Sequence, residues 1–485
     1  MALMAKRRLA RGTLFNIAAR IAYLVCGYAI YVLIGRVLGP KEYGIIGVVF
    51  SLLNFFYIFL KNGVPQATTK YIGGDASSAY AVMSTAMKIQ LVWGIFLFLA
   101  AFGGAKIISM VVLNDVQLTP YLRLASITLI PLAVYAIYEG ALVGIREFFK
   151  SALGMALTSI VRLVLVCASL ALGFGIDGVL GGYVLAAIVG TFVVRLFCNL
   201  AKSGRKFDAR KILSFALPLA ITGGMMAILM NIDSILVKRI MGSDAQVGFY
   251  FSAATLAHAL FQVFGTFGIT LLPSIACSYG NGDHQLSRKY VREVFRYILI
   301  ISIPLAAVIS ATSTELVTSI YGEAFRQAGP PLSILIWASS LFGLSAAMNT
   351  AISAMDHPWM AILFYVLPVI LIVPVSLLWI SEYGLVGAAA AILAVWAVSL
   401  VFTVGYLHTK LRGIVDWRSV CRICLAGAIT YFLGLNYHVS GPILLGYCAL
   451  LLIVNGAIIF ALGEWHREDY EVLKGIFGEK MKAAG

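Results

Sequence analysis

Apolar runs of roughly 20 residues recur along almost the whole 485-residue chain, and they limit what it can fold into. As a helix, a run of that length crosses ~30 Å of hydrocarbon. Peptide groups in lipid find no water to bond, so uninterrupted runs of this kind must satisfy their own backbone as helices. Separated at charged or Gly/Pro-rich turns, about fourteen runs qualify: 13–37, 43–66, 80–103, 121–143, 151–174, 179–200, 213–238, 246–274, 293–311, 329–353, 358–380, 384–407, 419–436 and 441–462. Hydrophobic residues make up 61% of the chain and charged residues 12%, too little polar surface to enclose a water-soluble core. The expected fold is therefore all-α, a polytopic membrane protein with about 14 transmembrane helices.

The formal charge of +15 would suggest nucleic acid in a soluble chain, but here most cations lie at helix ends, and no nucleic-acid partner is expected. Counted by side, the segments that share the N-terminal side carry about 24 Lys and Arg, and the opposite segments about six. By the positive-inside rule both termini are cytoplasmic and the chain is a multi-pass protein of the cytoplasmic (inner) membrane. The start, MALMAKRRLARG, looks like the charged head of a signal peptide. Asn16 and Arg20 interrupt the apolar stretch behind it, so an uncleaved first span is expected. Seven scattered cysteines lack a disulfide framework, and no metal-ligand set, phosphate loop or paired catalytic carboxylates stands out. The chain is expected not to be an enzyme, and to need no cofactor beyond a coupling Na+ or H+.

One hairpin recurs. GRVLGPKEYGI at Gly35 is echoed by KRIMGSDAQVGF at Lys238, with aligned glycines 203 (Gly39 and Gly242) and 204 (Gly44 and Gly248) residues apart. Two further pairs, at Gly178 and Gly384 and at Tyr138 and Met348, have offsets of 206 and 210. A nearly constant offset predicts duplication of a six-helix unit, giving two pseudo-symmetric lobes with a path between them. The lobes are drawn at 1–205 (helices 1–6) and 206–408 (helices 7–12). Residues 409–485 then hold two C-terminal helices and a cytoplasmic amphipathic tail.

Six cations fall inside spans, all before residue 200. A cation at the centre of a spanning helix costs about 2.5 to 3.5 kcal/mol on insertion scales, so its presence suggests a task. Asn16 and Arg20 share a face of the first helix, and Asn54 and Lys61 a face of the second, while Lys88 and Arg162 stand inside the third and fifth. These four cations and two amides are the expected substrate-binding residues, lining a cavity that attracts a polyanion. Snorkelling of the long basic side chains to a headgroup layer is the other reading, favoured for Arg123 and Arg195 near span ends. Asp233 in the seventh helix is an expected ion or gating residue. It could pair with a first-lobe cation, serve as a proton or sodium site, or pair with nearby Lys238 or Arg239. Glu139, with Arg146 a possible partner, and the stripe His258, Gln262 complete the ion or gating set.

The stretch GRVLGPKEYGIIGVVFSLLNFFYIFLKNGVPQATTKYIGG resembles the first hairpin of the polysaccharide-transporter branch of the multidrug/oligosaccharidyl-lipid/polysaccharide superfamily, which includes oligosaccharide flippases, sporulation protein B-like proteins and, more distantly, lipid II flippases. NIDSILVKRIMG resembles the group's seventh helix. The resemblance implies movement of a polyprenyl-diphosphate-linked oligosaccharide across the membrane by alternating access, with Arg20 and Lys61 as cavity cations and Asp233 as the acid of the seventh helix. It implies a lipid-linked anionic saccharide and membrane lipids as partners, together with polysaccharide polymerase or glycosyltransferase machinery. The alternative is a cation-coupled multidrug or toxin exporter of the same superfamily, which should show acids in its cavity.

Overall fold

The computed structural model of the chain describes residues 2–201, 207–355, 358–436, 439, 441 and 443–464, without the side chains of 2–18, 20, 261–274, 358 and 361. The expected amphipathic tail and the Asn16, Arg20 and Gln262 side chains therefore lie outside the described residues. The helices are α1 (Ala2–Lys61), α2 (Val64–Gly74), α3 (Ala79–Ile107), α4 (Thr119–Ser126), α5 (Leu129–Gly144), α6 (Phe148–Ala171), α7 (Gly175–Phe197) and α8 (Ala209–Met241). They continue with α9 (Asp244–Gly280), α10 (His284–Ala311), α11 (Ser313–Tyr321), α12 (Gly329–Ala354), α13 (Pro358–Leu411), α14 (Trp417–Leu435) and α15 (Ile443–Ala461). No strand occurs among the described residues.

Eleven segments among the described residues are long and apolar enough to span. Two of these are folded pairs. In α1 the backbone leaves helical geometry only at Gly39 (φ 77°), and Pro40, which has no N–H to lose, opens the returning limb. The rings of Tyr31 and Phe50 lie 6.1 Å apart, whereas an unbroken helix would separate them by about 28 Å at 1.5 Å per residue. The turn of the hairpin is thus a single-residue break. In the same way α13 reverses at Gly384 (φ 58°), bringing Phe364 and Tyr406 to 5.5 Å. α9, at 37 residues, is also of spanning length, which brings the helical runs to the fourteen expected.

The span expected at 121–143 is interrupted, ending α4 at Ser126 and starting α5 at Leu129. Pro131 explains the break, since its ring clashes with the carbonyl four residues back and it offers no N–H. The span expected at 43–66 likewise stops at Lys61, ahead of Gly63 and Pro65. At Pro218, by contrast, α8 stays continuous.

Packing divides the chain into two compact units, Met1–Phe251 with Ser376–Gly384, and Ser252–Val375 with Leu385–Gly485. In the first unit α1 packs on α6 and α8, α2 and α3 on α5, and α6 on α7. Small residues let these helices approach. The Gly140 and Gly144 face of α5 meets Pro65 and Ile72 of α2, where Thr69 donates to the Gly140 carbonyl at 3.0 Å. The two recurring turns meet within this unit. A Cβ on Gly44 would overlap the Asp244 carbonyl, and one on Gly248 would overlap the Pro40 carbonyl. Pro40 and Asp244 are themselves 204 residues apart, as are Gly44 and Gly248. The contact is therefore reciprocal, as two copies related by a two-fold make it.

In the second unit, α10 packs against α12, α14 and α15. Three arginines one turn apart on α10 hold the connections of the last two helices. Arg288 donates to the Gly413 carbonyl (3.3 Å), Arg292 pairs with Asp416 (2.5 Å), and Arg296 pairs with Glu464 (3.0 Å) while also reaching its carbonyl (2.8 Å). Glu464 is 1% exposed and is further contacted by Ser419 and Arg422. Partial burial works to raise the Asp416 carboxyl, but Arg292 and the N–H groups of Ser419 and Arg418 outweigh it and hold the carboxyl below its usual value. A lowered carboxylate stabilises the fold above the unfolded value near 3.8, and that contribution is lost as pH falls through the folded value.

Three outcomes are expected in thermal melts of the full-length protein in detergent. Gly44→Val should lower stability by about 1–3 kcal/mol or more, because its branched Cβ has no room against a backbone oxygen. Arg296→Ala should cost about 1–3 kcal/mol by leaving a buried carboxylate with Arg422 and Ser419 as its remaining partners. Arg292→Ala, at an exposed pair, should cost under about 1 kcal/mol.

Candidate functional site

The site is built around the place where α1 stops. The last carbonyls of a helix have no intrahelical donor, and in a membrane they must find one. Here Asn62 donates to the Ile58 carbonyl (3.0 Å), Trp93 of α3 to Phe59 (3.4 Å) and the buried Gln90 of α3 to Leu60 (2.8 Å). These bonds fix the end of α1 and with it Lys61, the exposed terminal residue, whose Nζ lies 6.0 Å from the Tyr57 ring centre one turn back. A cation at a helix C-terminus is favoured by the helix dipole.

Arg162 lies in the interior of α6, far from either end of its 24 residues. Its guanidinium carbon sits 5.0 Å from the Tyr183 ring centre on α7, and Tyr23, Tyr31 and Tyr57 of α1 are within electrostatic reach. The rings continue as a wall, with Phe50 at 4.4 Å from Tyr183 and 6.1 Å from Tyr31. Among the described residues no carboxylate pairs with Arg162, and its buried Nε has no hydrogen-bond acceptor. Glu139 of α5 is half-buried within electrostatic reach of Tyr57 and Tyr135. It forms no ion pair among the described residues, so the expected link to Arg146 is not made. Tyr57 thus lies 6.0 Å from Lys61 and within electrostatic reach of Arg162 and Glu139, in the first unit.

The other expected residues lie elsewhere or are already engaged. Asn54 donates to Asn231 of α8 at 3.1 Å, and Asn231 bonds in turn to the Ala227 carbonyl, so this amide staples α1 to α8. Lys88 emerges from α3 on the flank opposite Gln90, in a stripe with Val92 (72% exposed), Phe96 (58%) and Leu99 (59%). That is the placement of a lipid-facing lysine whose stem lies on apolar surface. Arg123 is likewise exposed, over Phe102 at 5.5 Å. His258 is half-buried in the second unit.

Asp233 is 4% exposed and accepts hydrogen bonds from Tyr250 (3.1 Å) and the Ser234 N–H (2.8 Å). Its suggested partner Lys238 is committed elsewhere. That ammonium, 2% exposed, lies 2.7 Å from Asp115 in the α3–α4 connection and 2.5 Å from Asp244 at the start of α9. Asp115 is 123 residues from Lys238, which is why sequence spacing did not reveal the pair. Gln90, Trp93 and Tyr183 were also missed. Their one legible signal is that they are polar or amphipathic residues inside apolar runs.

The model of a family described as "Polysaccharide biosynthesis protein" matches residues 33–330. Among curated relatives, the lipid II flippase MurJ of Bacillus subtilis (strain 168) is 21% identical over 342 residues, 60% of this chain and 63% of that protein. The match thus spans a little under two thirds of that relative's length. A solved structure of lipid II flippase MurJ in an inward closed conformation superposes with a TM-score of 0.74 at 13% identity, covering 93% of this chain and 98% of the other. An inward-facing multidrug resistance MATE family transporter gives 0.69 at 14% identity, covering 82% and 98%. At these identities the structural likenesses speak for the fold.

Lys238→Met should leave two part-exposed carboxylates facing each other without their cation and lower stability by about 1–3 kcal/mol. Adding Asp115→Asn and Asp244→Asn to it should recover most of the loss in the same melts.

Proposed function

The chain belongs to the polysaccharide biosynthesis protein family, in the polysaccharide branch of the multidrug/oligosaccharidyl-lipid/polysaccharide superfamily, and from that premise we propose that it is a flippase for a polyprenyl-diphosphate-linked oligosaccharide. It is a membrane transporter and not an enzyme. The observation that carries the reading is Arg162, a guanidinium in mid-helix with no carboxylate partner among the described residues, sharing Tyr57 with the exposed Lys61. The tyrosines answer only part of the cost of holding a cation in mid-helix, and an anion would answer the rest. The headgroup of a lipid diphosphate supplies that anion while its polyprenyl tail stays in the bilayer.

In this reading the protein sits in the cytoplasmic membrane with both termini inside, and two repeated lobes alternate access. Asp233, buried against Tyr250, is the place for a coupling proton or Na+. Polymerase or glycosyltransferase machinery would supply or consume the lipid-linked chain. One observation favours the drug-exporter alternative: Glu139 has no ion-pair partner among the described residues and could face a cationic substrate.

In proteoliposomes carrying a fluorescent lipid-diphosphate saccharide, Lys61→Ala and Arg162→Ala should each lower flipping at least about tenfold, equivalent to ~1.4 kcal/mol, with folded protein retained. Glu139→Gln should leave it near wild type. Wild-type rates in both cation variants, or loss confined to Glu139→Gln with uptake of a cationic dye, would reject the flippase in favour of the exporter.

A further inference from the structure

In the second unit, the Trp417 end of α14 carries a surplus of positive charge. Glu464 is one carboxylate set against two guanidinium groups, Arg296 and Arg422, and Asp416 is taken by Arg292. Arg418, exposed on the first turn of α14, adds a further cation, and its guanidinium has no acceptor among the described residues. Arg422 is half-exposed but held in place, 3.2 Å from the Gly463 carbonyl just past the end of α15.

Arg418, Arg422, Leu425, Ile429 and Phe432 follow one another at i, i+4, i+7, i+11 and i+14, and so share one face of α14. The three apolar members are exposed, and so is Trp417 beside Arg418. From Arg422 to Phe432 is a rise of about 15 Å at 1.5 Å per residue, half of a ~30 Å hydrocarbon core. The face therefore runs from two cations, flanked by an indole of the kind that settles at the headgroup level, down one leaflet's depth of apolar surface.

An apolar stripe alone would accept any lipid, so the cations set the preference. Side chains at i and i+4 have Cβ atoms about 5–6 Å apart, close enough for both arginines to donate to one phosphate, and the guanidinium fork suits phosphate oxygens. Asp416 already accepts the Arg418 N–H and caps this helix end, which leaves the binding to side chains rather than to the helix terminus. A zwitterionic headgroup brings its own cation and would balance the surplus less well.

We propose that this face of α14 binds an anionic phospholipid, with its phosphate between Arg418 and Arg422 and its chains along Leu425, Ile429 and Phe432. Because Arg422 also holds the Gly463 carbonyl, the bound lipid secures the end of α15 against α14. The site lies within the second unit and does not depend on the flippase reading.

The test titrates full-length protein in detergent with phosphatidylglycerol, or with phosphatidylcholine of the same chains, and counts retained lipid by native mass spectrometry. Wild type should hold phosphatidylglycerol about tenfold more tightly, and Arg418→Gln should lower that preference about fivefold, the worth of one arginine near an anionic headgroup. Arg412→Gln removes an equally exposed cation that lies off the stripe and should leave the preference unchanged. Cys421 is exposed one turn from Arg418, so phosphatidylglycerol should slow its alkylation by a soluble maleimide, read by peptide mapping, in wild type but not in Arg418→Gln. Glycerol 3-phosphate, which has the phosphate and no chains, should give no such protection.

Equal retention of the two lipids by wild type, or alkylation of Cys421 that phosphatidylglycerol does not slow, overturns the site. Equal losses in Arg418→Gln and Arg412→Gln also overturn it, since the attraction then belongs to a diffuse positive surface. Protection by glycerol 3-phosphate as strong as by the lipid overturns the lipid as occupant and leaves a soluble-anion site.

Discussion

Hydrocarbon offers nothing to a peptide N–H or carbonyl, and that single deficit shapes this chain more than any side-chain contact does. It forces helices, and it makes each interruption of a helix a place that needs explicit partners. The chain meets the demand in two ways. At Gly39 and Gly384 one residue with positive φ suffices for reversal, so few backbone groups are released. At the end of α1 the carbonyls of Phe59 and Leu60 are released and then captured by Trp93 and Gln90, while Ile58 keeps the Asn62 N–H and gains its side chain. The second solution creates a fixed, polar, partly exposed helix end, and Lys61 is the residue presented there.

The same logic sorts the charges. Lys238 sits between two carboxylates, and Glu464 collects two arginines and a serine. Lys88 and Arg123 keep to exposed flanks among apolar side chains. Each of these has an evident electrostatic or solvation answer. Arg162 has tyrosines for company, Tyr183 accepting a hydrogen bond from it and giving a cation–π contact worth about 0.5–2 kcal/mol, and no carboxylate among the described residues. Electrostatics alone thus separates one cation from the rest as the residue still waiting for a counter-ion.

How much of this was readable beforehand follows from which forces are local. Helix count and the break at Gly39 were legible because apolar run length and Gly/Pro punctuation are local properties, whereas the break at Gly63 fell inside an expected span. The pairing of Gly44 with Gly248 was half legible. The repeat offset aligned them, but only the structure shows that the aligned residues touch. Asp115 with Lys238, and Gln90 with Leu60, were not legible, since each joins segments whose proximity depends on packing. Lys88 shows a different limit. Its stripe with Val92, Phe96 and Leu99 is a helix period that can be counted in the sequence, but exposed apolar and buried apolar residues look alike in letters. A cation on such a stripe can be assigned to lipid or to a cavity only when its neighbours' exposure is known.

The reciprocal glycine contact and the Lys238 cluster belong to one neighbourhood, since Asp244 supplies both the carbonyl beneath Gly44 and a carboxylate for Lys238. A backbone crossing this close is rigid sterically, because no side chain lies between the helices to yield. An ion pair is rigid electrostatically only while its groups stay charged and dry. Placing both on one residue means that the crossing cannot separate without exposing the Lys238 ammonium, and the ammonium cannot be hydrated without loosening the crossing. Such coupling favours two discrete arrangements over a graded one, which is the property a carrier needs if its substrate is to see one side of the membrane at a time.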